Sequence, residues 1–340
     1  MRTIDLHAHC VPRTLLGELA QHGARLGVTI ATDGDRYRVA VGSRAPIALS
    51  GNLIDLDSRL QAMDRDGVDV QVLSPWMSLS ACRLSVAAAP TFARVYNEAA
   101  AAVVADHPDR FLALANLPAC DPVAAAIELR YCVGTLGMVG AEVATRPAGH
   151  DLDDPAFAPL WHAAEELGCV LLVHPLDSLA GRDVNRHFLG NVVGNPAEST
   201  VAIGNLIFGG VLERHRLLRL CVVHGGGFAP YQVGRWDHAF RNDVRGAATN
   251  LTVAPSEWLR TMYFDTVVHS DPAREFLVRI VGADRVVLGS DYPFEMGEPA
   301  PVATVRATPG LDADTVDKII AGNAAELLGS SLRGRSEAGL

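Results

Sequence analysis

The chain has 340 residues, 49% of them hydrophobic, and a formal net charge of −10. That is enough apolar material for a large core. Its arginines and lysines are spread rather than clustered, which argues against a nucleic-acid partner, because phosphate binding needs concentrated positive surface.

No apolar run reaches the roughly 20 residues of a membrane span. The opening MRTIDLHAHC puts an acid and two histidines where a signal peptide would be apolar, so a cytoplasmic protein without membrane contact is expected. Cys10, Cys82, Cys120, Cys132, Cys169 and Cys221 are scattered, with no CxxC pair, and read as reduced small hydrophobes.

Short apolar runs alternate with longer amphipathic ones. Strands are expected at 3–9, 68–74, 111–117, 139–144, 170–174, 218–224, 262–267 and 285–291. Most are continuously apolar, as parallel strands buried on both faces should be. Helices are expected at about 55–66, 90–106, 122–133, 155–167, 196–214, 229–243, 271–281 and 312–328, several opened by Asp-Pro. Eight such βα units predict an α/β fold, a (β/α)8 TIM barrel. An open doubly wound sheet would want a Gly-rich loop after the first strand, and HAHCVP is not one. Residues 11–54 do not fit the first unit. They contain a hairpin, 28–41 with Asp33-Gly34 as its turn, and predict a small β-hairpin insertion over the barrel mouth. The barrel is expected to fill 1–330 as one domain, with a frayed Ser/Gly/Arg-rich tail from Ser330.

Chemistry concentrates at the strand ends. His7 and His9, at i and i+2 on a strand, project to one face and form a chelate for a borderline metal. The fifth strand ends at His174-Pro175, the sixth at His224-Gly225-Gly226-Gly227, the eighth at Ser290-Asp291-Tyr292-Pro293. In a barrel all parallel strands aim their C-terminal ends at one mouth. His7, His9, His174 and Asp291 therefore form a candidate metal site. The N/O donor set suits zinc and accepts manganese, cobalt or iron. A water on such an ion ionises near neutral pH and becomes a nucleophile. His224 is best used as the acid or base for that water's proton, with service as a further ligand the alternative. The three glycines after His224 allow a close approach to a ligand or to a neighbouring strand. An esterase oxyanion loop would need a G-x-S-x-G elbow, which is absent. His187 and His269 fall near the expected mouth, Glu198 reads as a first-turn helix acid, and Arg235 lies in the helix after the glycines.

IDLHAH, RLQAMDRDGVDVQVLSP, LVHP, NPAEST, VVHGGGFAPYQVGRWDHAFR and RVVLGSDYPFEMGE, in this order, resemble the amidohydrolase-2 family of metal-dependent amidohydrolases, and within it the decarboxylases. The resemblance runs nearly end to end. It implies zinc held by His7, His9, His174 and Asp291, with His224 activating a metal-bound hydroxide. It also implies Arg235 reaching a substrate carboxylate in the neighbouring subunit of a homodimer. An arginine of the inserted hairpin that binds substrate matches Arg44. The chain departs from the family where an aromatic residue should follow the HP pair and Leu176 stands instead. It departs again at Phe188-Leu189-Gly190-Asn191, where an aromatic pair is expected, and at Cys10-Val11; the hairpin lysine is not evident. The expected activity is non-oxidative decarboxylation of a small unsaturated or aromatic carboxylic acid. Alternatives are hydrolysis or hydration of an amide, lactone or unsaturated diacid, and a non-catalytic metal-binding barrel.

Overall fold

The computed structural model describes residues 1–33, 36–177, 183–184 and 186–329. Gly34 of the expected turn and the tail from Ser330 lie outside them. The strands are β1 (Ile4–Cys10), β2 (Val28–Asp33), β3 (Arg36–Val41), β4 (Ile47–Leu49), β5 (Val70–Pro75), β6 (Phe111–Asn116), β7 (Gly140–Ala144), β8 (Val170–His174), β9 (Arg219–Val222), β10 (Tyr263–Asp265) and β11 (Val286–Val287).

Eight of them form one parallel sheet in the order β1-β5-β6-β7-β8-β9-β10-β11. The ring closes where the Leu6 N–H donates to the Leu288 carbonyl at 2.9 Å and the His9 N–H to the Tyr292 carbonyl at 2.7 Å. This is the expected (β/α)8 barrel. Its interior is packed by Ile4, Leu6, Val72, Leu114, Leu172 and Cys221, and Ala324 and Leu327 of the helix Asn323–Leu328 join that cluster. A second, larger apolar layer lies between the strands and the surrounding helices. No helix among the described residues is long and apolar enough to cross a membrane.

The last strand is shorter than its apolar run predicts. The His7 carbonyl accepts from both the Ser290 N–H (3.2 Å) and the Asp291 N–H (2.8 Å), and Asp291 turns left-handed at φ 56°. The chain therefore leaves the ladder before its ligand residue. The helix expected over 196–214 is two, Asn195–Phe208 and Val211–Arg214. Gly210 between them has φ 69°, where a β-carbon is strained. The insertion is larger than a hairpin. A helix, Arg13–His22, precedes β2, and β4 adds antiparallel to β3 to make a three-stranded sheet. That sheet reaches the mouth: Arg44, between β3 and β4, bonds Asp177 just beyond β8 at 3.2 Å.

Candidate metal centre

Strand β1 alternates apolar Ile4, Leu6 and Ala8 with polar Asp5, His7 and His9, and a regular strand would place the two sets on opposite faces. Ile4 and Leu6 belong to the barrel interior. The histidines join them there because the register against β5 slips between Asp5 and Ala8, so that Ile4 pairs with Val70 but His9 with Ser74. A bulge of this kind re-aims the side chains beyond it.

His7, His9, His174 and Asp291 converge, each offering one ligand atom, all within 4.8 Å of one another and all buried. The imidazoles are oriented from behind. Nδ1 of His7 donates to Asp265 Oδ2 at 2.6 Å, that of His9 to the Pro75 carbonyl at 2.7 Å, and that of His174 to the Pro175 carbonyl at 2.7 Å. Each outer bond fixes the proton on Nδ1 and leaves the Nε2 lone pair free to ligate. Nε2 of His7 and of His9 lie 3.2 Å apart, and 3.4 and 3.3 Å from Asp291 Oδ1. That oxygen is buried without a hydrogen-bond partner. A buried carboxylate oxygen with no partner is costly unless something positive completes it. The donor set and this orphaned oxygen both fit a divalent cation.

Electrostatics mark a site that attracts positive charge: burial works to lower His9, but Asp291 and Glu142 outweigh it and raise the imidazole. Burial holds the His174 imidazole well below its ordinary range, and its histidine neighbours push it further, so it is neutral as a ligand must be. Burial works to raise Asp291, but His7, His9 and His224 outweigh it and keep the carboxylate ionised.

His224 stands beside this group, its Nε2 3.7 Å from Asp291 Oδ2 and its ring 5.4 Å from that of His174. Its side chain is 16% exposed and its Nδ1 is buried without a partner. It opens into a cavity of about 340 Å³ walled by Asn191, Val192, Phe228, Val267, Val268 and His269. Among the cavity's residues, His224, His269 and Asp291 have positive φ of 55°, 52° and 56°, a strain that clusters at functional sites. The three glycines make close approaches to the surrounding protein, and Gly227 also lines the cavity. A β-carbon on Gly225 would lie 2.5 Å from Val268, on Gly226 2.6 Å from the Phe264 ring, and on Gly227 2.0 Å from the Pro196 carbonyl oxygen.

The other candidates are placed differently. Arg44 is half exposed and bonds Asp177, which Arg83 also bonds at 2.9 Å. Arg44 and Arg83 line a separate cavity beneath the inserted sheet. Arg235 is exposed on the helix Ala229–Arg241 and is not among the residues lining its own chain's cavity. His269 lines that cavity and His187 does not; Glu198 is in the first turn of its helix.

Asp265 and Glu142 are among the residues that escaped the sequence reading. Asp265, at the end of β10, orients His7 and also accepts from the Gly225 N–H at 2.8 Å. Glu142, inside β7, is buried 3.8 Å from His9 Nδ1 with Oε2 unpartnered, and burial pushes its carboxyl up to about 8. Each interrupts an apolar strand with an acid, a signal the sequence carried.

The family model described as amidohydrolase matches residues 4–330. The 2-amino-3-carboxymuconate-6-semialdehyde decarboxylase of Dictyostelium discoideum is 32% identical over 329 residues, 96% of this chain and 91% of that protein. The crystal structure of 5-carboxyvanillate decarboxylase from Sphingomonas paucimobilis superposes with a TM-score of 0.81 at 25% identity, covering 96% of this chain and 98% of that one. A dihydroxybenzoic acid decarboxylase from Polaromonas sp. JS666, solved with bound manganese and an inhibitor, shares the fold at a TM-score of 0.76 and 24% identity, over 96% of each chain.

Proposed function

The chain belongs to the amidohydrolase family, and on that premise we propose that it is a metal-dependent carboxy-lyase removing CO2, without oxidation, from a small unsaturated or aromatic carboxylic acid. The observation that carries this is the convergence of three outwardly anchored imidazoles and Asp291, one of whose oxygens is buried without a partner, beside a mostly apolar cavity. Its relatives in Dictyostelium and Sphingomonas are decarboxylases of compact unsaturated acids, which supports the reaction class.

His7, His9 and His174, through Nε2, and Asp291, through a carboxylate oxygen, would hold the ion. Zinc is the first choice for three imidazoles and one carboxylate, with manganese, cobalt or iron accepted by the same set. Such an ion, when bound, polarises a carboxylate or carbonyl oxygen and acidifies water. The protein's own residues do the rest. His224 Nε2, open to the cavity and close to Asp291, takes up and returns the proton. Val267, Val268 and Phe228 give a planar substrate an apolar wall and exclude water. With few aromatic residues lining it, the cavity suits a substrate held by its carboxylate more than by ring stacking. Arg235 would orient a carboxylate through its planar fork, whereas Arg44, expected to do the same, is held by Asp177 in a separate cavity and lines no part of this one. Since Arg235 is exposed and outside its own chain's cavity, it would act on the substrate of a partner in a homodimer.

Metal content of the purified chain, measured beside His174→Ala, tests the site. About one divalent ion per chain, largely lost in the variant, is expected. A screen of muconic and hydroxybenzoic acids then reads the chemistry. Release of CO2 with loss of one carbon is the expected product. A gain of water in mass instead would make the enzyme a hydrolase or hydratase, and the absence of metal would remove the premise.

A further inference from the structure

The bulge that turns His7 and His9 inward also weakens β1, because the ladder to β5 is interrupted where the ligands begin. A buried polar chain on the outer side of the barrel replaces what the ladder loses. Asp5 Oδ1 accepts from the His7 N–H (3.2 Å) and the Ser290 N–H (3.0 Å). Its Oδ2 accepts from the Ser290 hydroxyl (2.5 Å) and from Gln71 Nε2 (2.8 Å). Gln71 Oε1 accepts from Arg59 Nη1 at 2.7 Å, and Arg59 Nη2 donates to the His9 carbonyl at 2.5 Å. The Arg59 guanidinium lies 4.6 Å from the centre of the Tyr292 ring. The chain thus touches the backbone of His7 and His9 on β1 and both neighbours of Asp291, in the turn beyond β11, and so links ligands from opposite ends of the sequence.

Asp5, Gln71 and Arg59 are all buried. A lone acid and a lone base there would each be expensive. The amide of Gln71 joins them by donating to one and accepting from the other, so neither is left without a partner. An ionised carboxylate could not donate to Asp5, and an apolar side chain could do neither.

We propose that Arg59, Gln71 and Asp5 are positioning residues of the metal centre, setting the distance between the β1 ligands and Asp291 through the backbone and not through the ion. The inference rests on the metal-binding reading above. It differs from a plain stability role in one respect. A buried arginine elsewhere should matter to folding but not to metal affinity. Arg274 provides that comparison, being equally buried, with Nη1 bonded to Asp271 Oδ1 at 2.7 Å and to Thr308 Oγ1 at 2.8 Å on the helix Asp271–Val281.

The experiment is a competition titration of Zn2+ against a chromogenic chelator for the unaltered chain and for Gln71→Leu, Arg59→Lys and Arg274→Lys, with thermal midpoints of the metal-free proteins measured alongside. Removing an outer partner of a metal ligand costs about 10- to 100-fold in metal affinity. A loss of that order is expected for Gln71→Leu and Arg59→Lys, with turnover recovering at excess metal. Arg274→Lys is expected to lower the midpoint while leaving affinity unchanged. If Gln71→Leu fails to fold, Arg59→Lys, which keeps the buried charge, still reads the effect. Unchanged affinity in the folded variants, or an equal loss in Arg274→Lys, overturns the inference and leaves the metal site standing. An unaltered chain that binds no Zn2+ overturns both.

Discussion

His224 has two chemically distinct futures, as a proton carrier or as a fifth ligand, and its backbone offers a way to separate them. Its φ of 55° lies in the left-handed region, which asparagine tolerates far better than most residues. His224→Asn should therefore keep the turn while removing the imidazole. As a proton carrier its loss should cost about 10²- to 10⁴-fold in turnover, with metal content and thermal midpoint unchanged. Metal lost in step with activity would make it a ligand. At this scale the sequence was informative because the chemistry resides in residue types that rarely end apolar strands by accident: His7, His9, His174, His224 and Asp291 all stood out. Arg59 and Gln71 did not. An arginine in a helix and a glutamine in a strand are ordinary on a surface, and only their burial against Asp5 makes them part of the site.

Elements, rather than residues, decide whether those side chains meet. The eight parallel strands were legible from their apolar runs, and their shared direction put four strand ends at one mouth. The bulge in β1 was not legible: the sequence shows only alternation, while the slip depends on β5 and on the chain around Ser290. The third strand of the insertion also went unread, since Ile47–Leu49 is too short to show a period. The glycines after His224 show another case, a pattern that left a ligand and a neighbouring strand both open and whose protein neighbours only the fold could name. Gly226→Ala would place a β-carbon at φ 74° and 2.6 Å from the Phe264 ring. The left-handed conformation costs about 1–2 kcal/mol and overpacking about 1–3 kcal/mol more. Gly234→Ala, on the helix that follows, meets nothing within 4 Å and should stabilise by up to about 1 kcal/mol. Thermal midpoints moving in opposite directions are expected. A Gly226→Ala protein as stable as the parent would mean that the turn has room the structure does not contain.

At the scale of the whole molecule, the proposed homodimer would complete the mouth of the barrel. The helix Ala229–Arg241 starts beside His224 and carries Arg235 outward, with Tyr231 76% exposed and Phe228 43% exposed nearby. Large exposed aromatic side chains at the rim of a cavity are what a partner surface would cover. In the proposed homodimer this face meets a second copy, and the exposed arginine completes the other copy's site. The arrangement predicts complementation between two inactive proteins. Arg235→Ala keeps its own metal ligands but offers no arginine to its partner; His174→Ala offers the arginine but lacks a ligand. In a mixed dimer the Arg235→Ala chain receives the arginine it needs, while the other site lacks both. Random exchange at equal amounts makes half the dimers mixed, each with one working site of two, so activity should recover to about a quarter of the unaltered level. Each variant alone should stay inactive, and recovery should follow dimer exchange rather than mixing time alone. Mixed dimers that form without recovering activity would place Arg235 outside the reaction, and a chain that sediments as a monomer at micromolar concentration would remove the shared site altogether.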